Sequence, residues 1–470
     1  MTFPRRLHLS KSPTAPSRLK HAEFRGRIGI ARTEITPPIG VYSRTWGSAR
    51  HDVAEGVHRP ALATCLVFQA LDEGSELIIV AMDSCCADDG EVAVLRAAIL
   101  ERFGLNPEQL MLHPSHSHSL PVLTRRTADR AGGALLTSYL DNLAPVCFGL
   151  IEHARENLAE GVMSWAYGRC GLAFNRDAVD PASGRDICGL NLTEKADDTL
   201  LVGRIAGRDG QIRATIVNYA CHPVSMGGGN KLLSPDYVGA MREVVERETG
   251  RAPCVFMHGA SGELTPRRSY EAKTEAADQN GRELGYAALS VLSGMFPPEQ
   301  QLQYQGVEES GTPLGIWRLT PRSDVSTQLS GRFVTTRFPL LSFPSRQELE
   351  AQLAAATERY AIERLERSLA RRVQVGDGPD GDFHFTVWRL GEAFVVSTPA
   401  ECYSQFQIDL RRQFSDTTVA VLNLSDGTTT YLPKPESFSR DVYQARIAFY
   451  EPDALARVTA LARDAILEMR

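Results

Sequence analysis

Short runs of apolar residues recur along the chain, and most of them end in a polar segment. The clearest runs are ELIIVAMD (76–83), QLMLHPSHSH (109–118), RATIVNYACHP (213–223), PCVFMHGASGE (253–263), EAFVVSTPAE (392–401) and TVAVLNLSDG (418–427). Runs of this length are typical of strands buried on both faces, and helical patterns lie between them. One helical pattern opens with a capping box formed by Ser345 and Glu348. The alternation predicts an α/β fold in which a mostly parallel or mixed central sheet is flanked by helices.

Two stretches depart from this rhythm. Residues 1–26 include basic residues but no apolar segment, so we expect a disordered tail without a secretion signal. Residues 300–344 contain several prolines and lack the strand–helix alternation, so we expect an insertion or a cap over the active site. Residues 27–470 would then form a single domain. We find no internal repeat in the sequence.

Composition narrows the class of protein. The 470 residues carry a formal net charge of −6 and 43% of them are hydrophobic, as in ordinary globular proteins. A negative net charge gives no indication of the basic surface that nucleic-acid-binding proteins usually have. No apolar run reaches the roughly 18–20 residues that span a bilayer, so we expect no transmembrane segment. The nine cysteines include the adjacent Cys85 and Cys86 but no CxxC motif, which favours reduced thiols and a cytoplasmic location.

Three histidines fall within HPSHSHSLP (113–121), at the end of a predicted strand. His116 and His118 are two positions apart and would face the same side of an extended segment, whereas His113 would not. The pair is compatible with a metal site or with a polar histidine cluster at the surface. His222 ends another apolar run, where it is either a ligand or a hydrogen-bonded structural residue. The GGGN segment after it lacks the lysine and serine of a phosphate-binding loop and indicates a flexible turn.

Carboxylate and hydroxyl groups occupy other strand ends and loops. Glu401 either caps the next helix or binds a metal ion. Thr265 ends MHGASGELT (257–265), a segment whose glycines favour either an oxyanion site or a plain tight turn. This segment is not GxSxG, which excludes the nucleophile elbow of α/β-hydrolases. Tyr431 and Tyr443 lie in a loop, where tyrosines are usually packing residues.

The polar residues at three strand ends are compatible with a single metal site when they are considered together. In open α/β sheets, ligands bind beyond the carboxyl ends of the strands. Two histidines and a glutamate from three strand ends form a known set of catalytic zinc ligands that leaves one position open for water. On this interpretation, His118 and a phenol remain available for proton transfer or for stabilising an oxyanion.

The order of these motifs resembles that of the neutral/alkaline, non-lysosomal ceramidase family. The matching segments are GIARTEITPPIG (29–40), SHSHS, FNRDAV (174–179), NYACHPVSM, SPDY, GASGELTP, TPAE and TYLP. The resemblance implies that zinc is bound by His116, His222, Glu401 and Tyr431. It also implies that His118 hydrogen-bonds the oxyanion, that Tyr443 lies near the scissile group and that Arg176 lines the site.

The sequence also departs from the pattern of that family. GELTPR stands where the family has GDVSPN, so Thr265 replaces a serine assigned to catalysis and Glu263 replaces an aspartate. SLPVL replaces the family's SGPGG after the histidines, and we expect no C-terminal immunoglobulin-like domain. These departures leave the implied zinc ligands in place and leave the substrate open.

Three functional hypotheses follow. The leading one is a cytoplasmic zinc hydrolase that cleaves an amide bond of a small-molecule or lipid-like N-acyl substrate by attack of metal-activated water. In it, Thr265 positions water or a substrate hydroxyl group, and Arg176 orients the substrate. The second hypothesis keeps the zinc but assigns an esterase, or a deacylase of a small polar N-acyl compound. The third is a non-catalytic zinc-containing binding protein in which the ion ties strands together.

Overall fold

The computed structural model describes residues 17–72 and 74–470, except for the side chain of Asp89. The described residues form twenty-two strands: β1 Arg18–Lys20, β2 Ala22–Glu34, β3 Gly56–Val57, β4 Leu62–Gln69, β5 Glu76–Met82, β6 Leu110–Pro114, β7 Ala159–Arg169, β8 Ala173–Val179, β9 Asp186–Asn191, β10 Thr199–Gly207, β11 Ile212–Tyr219, β12 Leu232–Leu233, β13 Cys254–His258, β14 Leu264–Pro266, β15 Gln300–Glu309, β16 Pro313–Pro321, β17 Leu329–Pro339, β18 Asp380–Leu390, β19 Ala393–Ser397, β20 Glu401–Cys402, β21 Thr418–Leu422 and β22 Tyr431–Leu432. The same residues form nine α-helices: α1 Asp89–Phe103, α2 Gly133–Glu156, α3 Tyr237–Glu248, α4 Glu275–Gly294, α5 Arg346–Ala355, α6 Arg359–Val375, α7 Gln405–Gln413, α8 Tyr443–Arg446 and α9 Ala454–Met469. Short 3-10 helices cover Pro107–Gln109, Arg125–Thr127 and Pro435–Ser439.

Four layers build the molecule, in the order helices, sheet, sheet, helices. The first sheet has eight strands in the order β13-β11-β10-β7-β2-β4-β5-β6, and the second has four in the order β17-β18-β19-β21. Side chains of both sheets share one buried cluster, which includes Phe68 and Trp388. Helices α1 and α2 cover one half of the outer face of the first sheet, and α3 and α4 cover the other half. Helices α7 and α9 cover the second sheet.

Strand β4 shows why the sequence contains continuous apolar runs. Cys65 and Val67 point into the cluster beneath α1 and α2, whereas Leu66 and Phe68 point into the cluster between the sheets. Alternate residues of a strand face opposite sides, so a strand buried on both faces needs apolar residues at nearly every position. The α/β fold predicted from these runs is confirmed.

The central sheet is of the mixed kind. Strands β5 and β6 pair in parallel at one edge, and β11 and β13 pair in parallel at the other. The pairs between β11 and β5, through β10, β7, β2 and β4, are antiparallel. A strand buried on both faces has a similar composition beside either kind of neighbour, so the apolar pattern alone did not distinguish the mixed from the mostly parallel sheet.

One arrangement of strands and helix occurs three times. In each unit, an antiparallel hairpin is followed by a helix and then by a strand that pairs in parallel with the second strand of the hairpin. The units are β4–β5–α1–β6, β10–β11–α3–β13 and β18–β19–α7–β21. Each parallel pair brings two carboxyl ends to the same edge of a sheet. The polar segments of the sequence follow these ends.

Two expectations about the irregular stretches are corrected by the structure. Residues 18–26 lie in β1 and β2 rather than in a disordered tail, and residues 1–16 lie outside the described residues. The stretch 300–344 has the regular secondary structure that its sequence did not predict, because β17 is a strand of the second sheet and β15 and β16 form a hairpin that pairs with β1.

Helix α2 is long and apolar enough to cross a membrane when judged by length and composition alone, and no other helix among the described residues is. Its mean hydropathy reaches 1.4. The helix packs against β2 and β4, and Leu136, Leu143 and Ile151 are buried in the cluster beneath it. These contacts are those of a core helix that covers a sheet.

Candidate metal centre

His116, His222 and Glu401 come together where three strand-end loops meet. His116 follows β6, His222 follows β11, and Glu401 begins β20 shortly after β19. Nε2 of His222 lies 2.9 Å from Oε2 of Glu401, and Nε2 of His116 lies 3.5 Å from the same oxygen. All three side chains are buried. Each of the three hairpin–helix–strand units therefore contributes one potential ligand to a single point.

Both imidazole rings are oriented by backbone carbonyl groups. Nδ1 of His116 lies 2.8 Å from the carbonyl oxygen of Cys85, and Nδ1 of His222 lies 2.8 Å from that of Ser261. A carbonyl oxygen can only accept a hydrogen bond, so each Nδ1 carries a proton, and in the neutral ring Nε2 is left with a lone pair. Histidines that bind metal ions are usually oriented in this way.

Tyr431 adds a fourth atom to the cluster. It stands opposite Glu401 in the parallel pair of β20 and β22, and its hydroxyl oxygen lies 3.5 Å from Nε2 of His222. Arg176 donates hydrogen bonds from Nη2 to this oxygen at 3.1 Å and to the carbonyl oxygen of Gly262 at 2.6 Å. The buried guanidinium group thereby fixes the position of the phenol.

The four atoms fit one small cation. Three of the separations between these atoms, 2.9, 3.5 and 3.5 Å, are close to the spacing of about 3.4 Å between tetrahedral ligands at zinc bond lengths. Zinc binds both imidazole nitrogen and carboxylate oxygen. It has no strong geometric preference of its own, so it can adopt the arrangement that these side chains impose. The residues present are therefore compatible with the zinc site that the resemblance implied.

The ionisation states also favour a cation. Burial and the charge of Arg176 lower the pKa of His222 to about 3, which keeps its ring neutral at neutral pH. Burial opposes the ionisation of Glu401, but the adjacent imidazole groups of His116 and His222 outweigh burial and hold the pKa of Glu401 well below its usual value. The Glu401 carboxylate in turn outweighs burial at His116 and raises the pKa of that ring, so a metal ion would displace a proton from it. A neutral imidazole and an ionised carboxylate are the forms that bind metal.

His118, Tyr443 and Thr265 surround the cluster. Nε2 of His118 lies 3.3 Å from Nε2 of His116, and burial holds the pKa of His118 well below its usual value. The ring of Tyr443 is centred 6.0 Å from that of Tyr431, and Tyr443 is 44% exposed, which places it at the mouth of the site. Thr265 is fully buried, and its hydroxyl group has no hydrogen-bond partner among the described residues.

Glu263 does not join the cluster. Its carboxylate accepts hydrogen bonds of 3.0 and 2.9 Å from the backbone N–H of Ser404, and another from the Ser404 hydroxyl group. Ser404 is the residue before α7, so Glu263 satisfies a donor at the start of that helix. The carboxylate that replaces the family's aspartate is a structural group.

His113, the third histidine of the HPSHSHSLP segment, is structural as well. Its Nδ1 lies 2.9 Å from the hydroxyl oxygen of Ser425, and its Nε2 accepts a hydrogen bond of 2.8 Å from the backbone N–H of His258. These bonds tie the end of β6 to β13 and to the loop after β21.

Cys85, His116 and His118 form a second group of potential metal ligands, which shares His116 with the first group. The sequence analysis did not predict Cys85 as a ligand.

Two aromatic residues that the sequence analysis did not single out lie near the cluster, Trp46 beside His118 and Tyr270 beside Trp46. The ring of Trp46 is centred 5.3 Å from that of His118 and 5.7 Å from that of Tyr270. Burial raises the pKa of Tyr270, while Arg176 and Thr265 act in the opposite direction, so the Tyr270 hydroxyl group lies close to both.

The GGGN segment holds these aromatic residues in place and is not a flexible turn. A Cβ atom on Gly227 would lie 2.6 Å from the carbonyl oxygen of Tyr270, and one on Gly228 would lie 2.5 Å from the hydroxyl oxygen of Ser48. Only glycine permits such a close approach of backbone segments. The run of glycines was thus a signal of tight packing beside the site.

Comparison with solved structures identifies the fold. A scan against protein-family models and a search of curated proteins each give no match. The crystal structure of neutral ceramidase from Pseudomonas aeruginosa matches 95% of this chain and 74% of its own, with a TM-score of 0.65 and 16% sequence identity. A structure described as ceramidase complexed with C2 matches 95% of this chain and 75% of its own, with a TM-score of 0.65 and 15% identity. The resemblance predicted from the sequence is therefore confirmed at the level of the fold.

Proposed function

We propose that this protein, which has the fold of neutral ceramidase, is a zinc-dependent hydrolase that cleaves an amide bond of an N-acyl compound. The observation that carries the proposal is the meeting of Nε2 of His116, Nε2 of His222 and the Glu401 carboxylate at one buried point, with both Nδ1 atoms engaged by backbone carbonyl groups. Tyr431 would complete the set of ligands. When bound, zinc would polarise the substrate carbonyl and make a water molecule acidic enough to attack at neutral pH.

The residues around the cluster have distinct tasks in this proposal. His118 is neutral and half-buried and has Nε2 directed toward the cluster, so it can donate a hydrogen bond to a developing oxyanion or transfer a proton. Tyr443 stands at the mouth and would donate a second hydrogen bond from its hydroxyl group. Arg176 holds the Tyr431 oxygen and so acts through that residue.

Thr265 would bind a polar atom of the substrate or a water molecule. Its hydroxyl group is fully buried and has no partner among the described residues, and a buried hydroxyl group without a hydrogen bond costs about 1–3 kcal/mol. A bound substrate or water would remove this cost. Threonine supplies the same donor and acceptor as the serine found at this place in the family that the sequence resembles.

The test begins with the metal. Elemental analysis of the purified protein should find about one zinc ion per chain, and the Glu401→Ala and His116→Ala variants should lose it together with amide hydrolysis. Glu263→Gln is a matched control, because Glu263 is also a buried glutamate near a strand end but does not face the cluster. Full turnover in His116→Ala would contradict the metal assignment.

A panel of substrates tests the reaction. N-acyl sphingosines, N-acyl amino acids, N-acyl sugars and aryl esters should be compared at equal acyl chain length. Faster cleavage of amides supports the proposal, whereas cleavage of the aryl esters alone would indicate an esterase. Zinc at one equivalent without hydrolysis of any member would indicate a binding protein in which the ion is structural.

A further inference from the structure

Helix α6 lies across the mouth of the candidate metal centre. On one side, Nε of Arg44 lies 3.2 Å from a carboxylate oxygen of Glu363, and the ring of Tyr360 packs closely against Gly47. On the other side, Glu366 lies 3.1 Å from Nη2 of Arg130. The helix is thus held by two separate loops.

The first of these loops is in direct contact with the centre. The hydroxyl group of Thr45 donates a hydrogen bond of 2.7 Å to the carbonyl oxygen of His118, and the next residue, Trp46, lies against the His118 ring. The loop that contains Arg44, Thr45 and Trp46 therefore contacts α6 on one side and His118 on the other.

Two arginines on α6 are directed toward the same opening. Glu363, Arg367 and Arg371 are spaced by four residues and share one face of the helix. The positive charges of Arg371 and Arg367 act on Tyr443, where they oppose the rise in pKa that burial causes. Glu363 faces the loop of Arg44, so Arg367 and Arg371 continue the same face of α6 beyond that contact.

These two cations have no partner in the described part of the chain. Neither Arg367 nor Arg371 forms a hydrogen bond or an ion pair there, whereas Arg359 pairs with Asp52 and Arg372 pairs with Asp377. Arg371 is half-buried and Arg367 is exposed. Two unpaired like charges one helical turn apart repel each other, and an anion between them would relieve that repulsion.

A second observation points to a polar ligand in the same space. The indole N–H of Trp46 is buried and has no hydrogen-bond partner among the described residues, and the buried hydroxyl groups of Thr265 and Tyr270 lie close to each other with hydrogen-bonding capacity left unused. Burying such atoms without partners is unfavourable, and an apolar chain would not supply partners. A ligand with polar atoms would therefore supply partners inside the site, and a negative charge on that ligand would supply one for the two arginines at the mouth.

We propose that the substrate carries an anionic group, a carboxylate or a phosphate, that Arg367 and Arg371 bind at the mouth while the scissile amide lies at the metal centre. This inference rests on the proposed function and names its substrate class, an acidic N-acyl compound such as an N-acyl amino acid. Arg367 and Arg371 are specificity residues that touch the substrate away from the reacting atoms. A neutral N-acyl lipid would leave both charges without a partner.

The test separates binding from catalysis. Dodecanesulfonyl-glycine and dodecanesulfonyl-glycinamide differ by one negative charge, and their sulfonamide bond resists hydrolysis. Calorimetric titration of the purified full-length protein should show roughly 5- to 10-fold tighter binding of the acid, which two partly exposed charge-assisted contacts can supply. The double variant Arg367→Gln/Arg371→Gln should lose this preference, and Arg318→Gln on the β15–β16 hairpin should keep it. A phosphate-bearing probe that binds more tightly than the carboxylate would identify phosphate as the preferred anion.

The outcomes distinguish the two proposals. Equal binding of the acid and the amide by the wild-type protein, or an unchanged preference in the double variant, overturns the anionic substrate. The proposed function is tested separately by hydrolysis of N-lauroyl-glycine and N-lauroyl-glycinamide. If the acid binds more tightly but neither compound is cleaved, the anion site stands and the amidase proposal fails. If both are cleaved with equal KM, the amidase stands and the anion site fails.

Discussion

The indole ring of Trp46 lies against the imidazole ring of His118, with the ring centroids 5.3 Å apart. The neighbouring Thr45 hydroxyl group, bonded to the carbonyl oxygen of His118 at 2.7 Å, fixes the backbone at the same place. The loop that contains Thr45 and Trp46 therefore restricts the orientation of His118.

Replacing Trp46 by alanine should impair catalysis more than metal binding. Without the indole ring, His118 loses the surface that restricts its orientation, and a misplaced proton donor lowers kcat by about 10–100-fold. Zinc content should stay at the wild-type value, because Trp46 does not touch the four-atom cluster. The measurement is kcat and zinc content of Trp46→Ala beside Trp317→Ala, an exposed tryptophan on the β15–β16 hairpin. Equal kcat in the two variants would contradict the orienting role.

Tyr431→Phe should lower the affinity for zinc, whereas Tyr443→Phe should lower kcat. The Tyr431 oxygen lies 3.5 Å from Nε2 of His222, so its removal should weaken zinc binding by about 10–100-fold. Tyr443 is next to the cluster but not part of it, so its removal should lower kcat and leave zinc affinity unchanged. Competition with a chromogenic chelator measures affinity, and steady-state kinetics measures kcat. Similar zinc affinities in both variants would show that Tyr431 is not a ligand.

Gly262→Ala should displace Glu401. A Cβ atom at Gly262 would lie 2.8 Å from the carbonyl oxygen of Glu401 and 2.8 Å from the Tyr403 ring, so the backbone must shift. We expect a loss of about 1–3 kcal/mol in the free energy of unfolding, together with reduced zinc content. Gly149→Ala, which meets no atom within 4 Å on α2, should instead stabilise the protein by roughly 0.5–1 kcal/mol. Urea unfolding and elemental analysis of both variants test this contrast, and full zinc content in Gly262→Ala would contradict it.

Glu263 should make stability depend on pH. Burial raises the pKa of Glu263 from 4.5 to about 7, so between these values the folded protein holds a proton that the unfolded chain has released. Stability contributed by this proton is present below pH 4.5 and is lost as pH rises through 7, by about 3 kcal/mol in total. Glu263→Gln has no proton to lose and should show a flatter profile. Urea unfolding of both proteins from pH 5 to pH 8 measures the difference, and parallel profiles would refute the linkage.

The apolar runs predicted the buried strands well because burial on both faces is a strong constraint on composition. The polar ends of these runs likewise pointed to the edge where His116, His222 and Glu401 meet. The identity of the four potential ligands, including Tyr431, came from the family resemblance and not from the pattern. Their roles as ligands stay predictions.

Several features depended on contacts between distant segments, and no local pattern encodes such contacts. The placement of Trp46 beside His118 depends on glycines 227–229, whose close packing resembles a flexible turn in the sequence. The pattern of α6 is amphipathic like that of any surface helix and does not indicate that it lies over the mouth of the site. The sequence analysis therefore predicted that the proline-containing stretch 300–344, rather than α6, covers the site. The threefold occurrence of the hairpin–helix–strand unit is a property of topology, which different sequences can share.

The three units have a consequence for how the protein is made. Each unit delivers one of the three residues His116, His222 and Glu401, and 179 positions separate His222 from Glu401. During synthesis, the ribosome releases both histidine loops well before the third unit emerges. The full set of donors therefore exists only after the third unit has been synthesised, and a translation product that is interrupted before Glu401 cannot assemble it. Metal capture by these residues would distinguish chains that contain all three units from shorter nascent ones.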